Sequence, residues 1–285
     1  MVTAKTKKVG LICWPIGHSL SPVMHNAAFG ALGMDWVYLP LPVRAENLEA
    51  GVRGLQALSF EGCNVSVPYK TQIIQYLDEV DDAARQMNAV NTIKISEGKL
   101  IGSNTDPVGF VRQLTSDGVV PDDFNILVIG AGGAARAALF GLSQFKIRHI
   151  TVMDTIQTQA ESLVRDLSAL YPTDTVDYEL PSEENFKKLS NGLNLVINAT
   201  PVGMFPKVDA SPWPAKVKMP EDAVFFDIVY NPQETKLLSM AKAKGNKTLS
   251  GLGMLVHQGV ASFEIWTGTT PPVDLMVKVC RESLS

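Results

Sequence analysis

The stretch NILVIGAGGAARAALFGL, Asn125–Leu142, decides how the rest of the chain is read. Ile126, Leu127, Val128 and Ile129 form a short β-favouring run, Gly130 to Ala135 break it, and an alanine-rich segment of high helix propensity follows. Strand, tight turn and helix in that order give the G-x-G-x-x-A pattern a physical purpose. Gly130 and Gly132 allow a sharp turn and let a pyrophosphate approach the amides at the helix N-terminus, while small Ala135 lets the helix pack closely on the sheet. Ala131, Gly133 and Ala134 complete the loop. It predicts a bound dinucleotide and is silent on the chemistry done with it.

Outward from the loop, strand-like and helix-like segments alternate almost throughout, the pattern of an α/β protein. Upstream, a strand over 8–13 precedes a helix opened by Ser21-Pro22 and running to about Leu32, then a strand over 36–43, a helix over 45–58 and a strand over 62–67. Helices are predicted over 69–77 and from Asp78 to Gln86, a hairpin over 89–95 and 99–102 around Glu97-Gly98, and a helix over 105–114. Downstream come strands at 149–153, 193–198, 223–228 and 247–249, with helices over 155–170 and 234–244. The polar link 116–123, SDGVVPDD, marks a domain boundary. The expected architecture is a two-domain α/β protein, with an N-terminal α/β substrate domain over 1–115 and a Rossmann-type dinucleotide-binding domain over 116–250. The last segment, 251–285, supplies two helices with no strand to cross to, expected to return to the first domain.

A formal charge of −4 argues against a nucleic-acid or anionic-membrane partner. Cys13, Cys63 and Cys280 are widely separated, with no C-x-x-C or metal spacing, which fits a reducing, cytoplasmic setting. The apolar run near the N-terminus is interrupted by Pro15 and Gly17 and is read as a first strand, not a leader, and nothing approaches a membrane span. The four histidines, His18, His25, His149 and His257, are scattered without ligand spacing, so no metal is expected, and no nucleophilic-hydrolase pattern appears.

If the dinucleotide serves hydride transfer, a proton donor must stand beside it. Lys70, just past Asn64-Val65-Ser66-Val67-Pro68-Tyr69, sits at an expected helix start after a buried-looking strand, an odd place for a solvated lysine; its plain alternative is the exposed face of an amphipathic helix. Asp106 falls where a strand gives way to a helix, so helix capping competes with catalysis. Ser19 and Ser21, two apart in an extended segment, would point the same way and could hold a carboxylate; Ser21 before Pro22 also reads as a helix cap. Asp154 ends the strand after the loop, where an acid accepts hydrogen bonds from an adenosine ribose and would repel a 2′-phosphate, or caps the next helix.

Together these pieces resemble the shikimate dehydrogenase family, including its quinate/shikimate branch. The motifs are Gly17-His18-Ser19-Leu20-Ser21-Pro22, Asn64 to Lys70, Asn88-Ala89-Val90-Asn91-Thr92, Asn104-Thr105-Asp106, the glycine loop, Asn198-Ala199-Thr200-Pro201 and Gly251 to Gln258. The resemblance implies a catalytic pair of Lys70 and Asp106, a carboxylate site at Ser19 and Ser21, and substrate contacts from Ser66, Asn91, Tyr230 and Gln258. On the cofactor side it implies the loop, Thr155, Thr200, Ile228, Gly251 and Asp82. It further implies reduction of 3-dehydroshikimate to shikimate with NAD or NADP on the route to chorismate and the aromatic amino acids, by a monomer or homodimer. Three departures qualify this. Ser66 replaces a usual threonine, Pro107 a common glycine, and Asp154-Thr155 the Asn-Arg of NADP-using members, which favours NAD and leaves quinate open as a second substrate. The alternatives are a methylenetetrahydrofolate dehydrogenase, which the serine pair and Gln258 motif fit poorly, and a catalytically silent nucleotide-sensing regulator, which an intact Lys70 and Asp106 speak against.

Overall fold

The computed structural model describes residues 2–17 and 19–284; His18 lies outside the described residues. The chain divides into two compact units, residues up to Gly109 with Val256–Ser283, and Phe110–Leu255.

The first unit holds β1 (Lys7–Cys13), α1 (Ser21–Ala31), β2 (Trp36–Pro42), α2 (Leu48–Ala57), β3 (Gly62–Val65), β4 (Glu79–Val80), α3 (Asp82–Met87), β5 (Thr92–Ser96) and β6 (Lys99–Ser103), and α4 (Asp106–Ser116) starts in it. Its six strands lie in the order β2-β1-β3-β5-β6-β4. β2, β1 and β3 are parallel, whereas β5 runs antiparallel to both β3 and β6. Glu97 and Gly98 turn the β5–β6 hairpin with φ of 53° and 77°, the positive pair a primed turn requires. Ile12, Val52, Leu55, Cys63, Tyr69, Ile73 and Ile93 share one core.

The second unit holds β7 (Asn125–Ile129), α5 (Gly133–Leu142), β8 (His149–Met153), α6 (Gln157–Leu167), β9 (Val176–Glu179), α7 (Glu183–Ser190), β10 (Leu195–Asn198), β11 (Val224–Asp227), α8 (Lys236–Lys242) and β12 (Lys247–Ser250). All six strands are parallel, in the order β12-β11-β10-β7-β8-β9. This is the doubly wound Rossmann arrangement, whose switch point lies between β7 and β10. Ile126 and Val128 enter the core on one face, Leu127 and Ile129 that on the other, which is why the run is apolar without alternation. The chain then continues through α9 (Gly251–Thr267) and α10 (Val273–Glu282), and α10 lies against α1.

Several expectations are corrected. The division falls inside α4 and α9, not in the polar link 116–123. Phe110, Leu114, Val119 and Met254 are buried in the second unit's core, so apolar packing, not loop composition, sets the border. Residues 69–77 form a turn and a short 3₁₀ segment (Gln72–Tyr76), because the Lys70 carbonyl accepts the Val90 N–H at 2.8 Å and is lost to a helix. Asp78 pairs with Leu100 through its N–H and carboxylate, drawing β4 onto the sheet edge, so α3 begins only after its cap, Asp81. β9 and α7 were not anticipated: VDYE is a polar edge strand, and the Ser182 cap precedes a mostly charged helix. Among the described residues, no helix is long and apolar enough to cross a membrane.

Candidate active site

In the first unit, polar residues converge at the ends of β3, β5 and β6. Lys70 lies in the turn after β3, and Asp106 is the first residue of α4, where the helix N-terminus favours a carboxylate. Lys70 Nζ is 2.5 Å from Asp106 Oδ2, with only 26% and 16% of the two side chains exposed. The other oxygen, Oδ1, accepts from Asn91 Nδ2 at 2.8 Å, and the Asp106 N–H donates to Asn104 Oδ1 at 3.0 Å. The carboxylate is therefore fixed by both oxygens, while an ammonium with three donors keeps capacity for an incoming oxygen. Ser66 opens the Lys70 turn, its C=O accepting the Tyr69 N–H, and its side chain meets the Cys13 thiol, which burial pushes upward in pKa.

Ser19 and Ser21 are near one another, but not on an extended segment: Leu20 is helical, Ser21 is the first residue of α1, and the Ser21 N–H donates to Ser19 Oγ at 3.3 Å. Ser21 makes no side-chain cap, because the helix starts one residue earlier than the serine–proline pattern implies. Gln258 lies on α9, one turn before Ser262, whose hydroxyl donates to the Gln258 carbonyl. Asp82 is exposed in the first turn of α3, within the first unit.

In the second unit, the loop after β7 behaves as its composition demands. Gly130 has φ of 104°, and a Cβ there would lie 2.9 Å from the Thr200 methyl and 3.0 Å from the Ala199 backbone. Among the described residues, and leaving aside the adjoining chain, nothing lies within 4 Å of where a Cβ would stand on Gly132 or Gly133, and the first turn of α5 holds no acidic residue. Open space, helix N-terminal amides and the switch point together fit a dinucleotide pyrophosphate.

Asp154 follows β8, yet its two oxygens face the protein: Oδ2 accepts the Ala131 N–H at 2.7 Å and Oδ1 the Ile156 N–H at 2.8 Å. It buttresses the glycine loop and does not cap α6, which starts after Ile156. Thr155 is exposed, and residues 154–159 carry no cation. Arg136, on α5, is held by Asp166 at 2.9 Å.

The Thr200 hydroxyl and N–H both donate to Asn198 Oδ1. Asn198 Nδ2 and the Val229 N–H donate to Asp227 Oδ1, and the Thr235 hydroxyl to Oδ2 at 2.5 Å. Asp227 thus ties together the segments bearing Thr200 and, next to Val229, Ile228 and Tyr230. Its complete burial pushes the carboxyl up to about 6, against the pull of those hydrogen bonds. Gly251 lies against Ile228, and a Cβ there would sit 1.9 Å from the Ile228 carbonyl oxygen. Asn64, Thr92 and Thr105 stand in the quoted motifs without a role of their own, and Asp227 and Ser262 in none; the signal for Asn64, Thr92, Asp227 and Ser262 is a polar side chain inside an otherwise apolar strand or helix.

The chain matches the model of the shikimate dehydrogenase substrate binding domain over residues 11–93 and that of the shikimate 5'-dehydrogenase C-terminal domain over 251–281. It is 43% identical to the shikimate dehydrogenase (NADP(+)) of Methanocaldococcus jannaschii, over 97% of this chain and 96% of that one. The chain belongs to the shikimate dehydrogenase family. A family member crystallised with NADP+ superposes with a TM-score of 0.93 at 41% identity, covering 100% of this chain and 98% of that chain. The Listeria monocytogenes shikimate 5-dehydrogenase, in complex with shikimate and NAD, gives 0.90 at 36% identity, covering 98% of each chain.

Proposed function

We propose that this protein is a shikimate dehydrogenase that interconverts 3-dehydroshikimate and shikimate with a nicotinamide dinucleotide. The observation that carries the reading is the Lys70–Asp106 ion pair, braced by Asn91, in a chain of this family. When bound, the nicotinamide would supply or take the hydride at the ring carbon bearing the keto or hydroxyl group. Lys70 Nζ–H donates to the oxygen that becomes an alkoxide during reduction and transfers its proton to it; in oxidation the same nitrogen takes that proton back. Asp106 holds the ammonium in place, Asn91 holds Asp106, and Ser19 and Ser21 take the substrate carboxylate. Ser66, Tyr230 and Gln258 serve the hydroxyls and ring.

For the cofactor, the loop amides of 131–135 would hold the pyrophosphate. Relatives are named for NADP(+), whereas this chain offers a 2′-phosphate an acid at Asp154, no cation over 154–159, and an Arg136 already paired. Lacking the cationic partners that a phosphate group favours, the site is shifted toward NAD relative to those relatives. The test is absorbance of the reduced nicotinamide with shikimate and quinate, each against NAD+ and NADP+. Turnover of shikimate with kcat/KM higher for NAD+ is expected. A large NADP+ preference sinks the cofactor claim, faster quinate turnover moves the chain to the quinate branch, and no turnover with any pair removes the enzymatic reading.

A further inference from the structure

We propose that Thr92 and Ser262 are positioning residues, a buried hydroxyl pair that fixes the side-chain amide of Asn91 and, through it, Asp106. The proposal rests on the reading of Lys70 and Asp106 as the reacting pair. Behind that pair, the side chains of Tyr38, Asn64, Asn91, Thr92, Thr105 and Ser262 form one continuous hydrogen-bonded group. The Tyr38 hydroxyl donates to Asn64 Oδ1 at 2.8 Å, and Asn64 Nδ2 shares its two protons among Ser262 Oγ at 2.9 Å, Thr92 Oγ1 at 3.0 Å and the Asn91 carbonyl at 3.1 Å. The two hydroxyls lie 2.8 Å apart, and Thr92 donates to Asn91 Oδ1 at 2.8 Å. Thr92 and Ser262 are fully buried, and Asn64 and Asn91 nearly so.

Two backbone groups that act in one sense only set the direction of the whole chain of bonds. The Thr105 N–H can only donate, and it meets Asn91 Oδ1 at 2.8 Å; the Asn91 carbonyl can only accept, and it meets Asn64 Nδ2 at 3.1 Å. The first contact turns the Asn91 NH₂ toward Asp106, and the second turns the Asn64 NH₂ toward the hydroxyls. Thr92 has one proton and gives it to Asn91, so toward Asn64 and Ser262 it can only accept, and the single Ser262 proton is shared between Thr92 Oγ1 and the Gln258 carbonyl. Without its hydroxyl, Asn91 loses one of the donors that hold its amide oxygen away from Asp106, and a turned amide would set an oxygen against a carboxylate. Ser262 adds a second constraint. It stands one turn past Gln258 on the same helix, so its contacts with β3 and β5 register α9, and with it Gln258, against Asn91.

The pair Thr92→Val and Thr92→Ser separates the hydroxyl from the packing. Thr92→Val keeps the shape and removes the hydroxyl; Thr92→Ser keeps the hydroxyl and opens a methyl-sized gap. In Thr92→Val we expect kcat for shikimate oxidation to fall about tenfold, with the dinucleotide KM within about twofold of the parent. The Asn91 side-chain amide protons, followed by ¹⁵N NMR without substrate, should exchange faster. Thr92→Ser should recover most of both, despite its poorer packing, and Ser262→Ala should repeat the Thr92→Val pattern if that variant does not fold. Equal losses of kcat in the Val and Ser variants, tracking their melting temperatures, would overturn the proposal, as would parental kcat and parental Asn91 protection in Thr92→Val. Failure of the parent to oxidise shikimate overturns the functional reading alone, because Asn91 exchange still decides whether the hydroxyl pair positions the amide.

Discussion

Lys70 is the residue whose role depends least on its neighbours in sequence and most on its neighbours in space. Its turn was expected to be a helix, yet the element mattered less than the contact: a lysine with only 26% of its side chain exposed and a carboxylate at 2.5 Å is not a solvated surface cation. Lys70→Ala removes the proposed proton donor and leaves Asp106 its contact with Asn91. The expected result is a fall in kcat of about 10²–10⁴ with dinucleotide affinity, measured by fluorescence titration, unchanged; near-parental turnover would take Lys70 out of the mechanism. Asp154 shows the opposite lesson. Its position after β8 was legible, but its oxygens are engaged by the Ala131 and Ile156 amides, an arrangement no spacing rule discloses. It braces the glycine loop from the end of β8.

Among the elements, the strand–loop–helix of 125–142 was readable because glycine freedom, apolar run and alanine-rich helix agree with one another. The start of α9 was not, since what matters at Gly251 is the approach of another segment. A Cβ at Gly251 would sit 1.9 Å from the Ile228 carbonyl oxygen, a backbone atom that cannot turn aside as a side chain can. Gly251→Ala is expected to cost about 1–3 kcal/mol by overpacking, lowering the thermal midpoint by several degrees, and to raise the dinucleotide KM if Ile228 serves the nicotinamide end. A calorimetric scan that matches the parent would show that the two segments separate without cost. The 3₁₀ turn over Gln72–Tyr76 and the short β4 follow the same logic: Val90 and Leu100 claim their backbone groups, and tertiary hydrogen bonding overrides local helix preference.

For the molecule as a whole, each unit carries a buried group whose titration burial moves within the acid range, His25 in the first and Asp227 in the second, and the two respond oppositely to pH. His25, in the first unit, stacks on Tyr38 at 4.5 Å, and among the described residues neither ring nitrogen has a hydrogen-bond partner; burial lowers its pKa to about 3. The unfolded chain therefore binds a proton that the fold refuses, so stability is lost as pH falls below about 6.5. Asp227, in the second unit, is raised to about 6, so the fold holds a proton that the unfolded chain releases, and stability is lost as pH rises from about 4 to 6. Against the parent in urea unfolding, His25→Phe should gain roughly 1.4 kcal/mol per pH unit on acidification below about 6.5. Asp227→Asn, in which the Thr235 hydrogen bond can reverse, should gain a similar amount per unit as pH rises toward 6 and no more above it. Parallel pH profiles for parent and variant would remove either group from the account. By itself, the sequence determined the alternating architecture, the dinucleotide loop and the motifs carrying Lys70, Asn91 and Asp106, because these rest on local propensity and on residue types few alternatives can replace. Only the tertiary structure decided where one unit gives way to the other, what Asp154 and Asp227 hold, and which buried hydroxyls stand behind Asn91. Those are matters of hydrogen bonds and packing between segments distant in the chain, such as the contact of Asn64 with Ser262, and no periodicity within one segment encodes its partner in another.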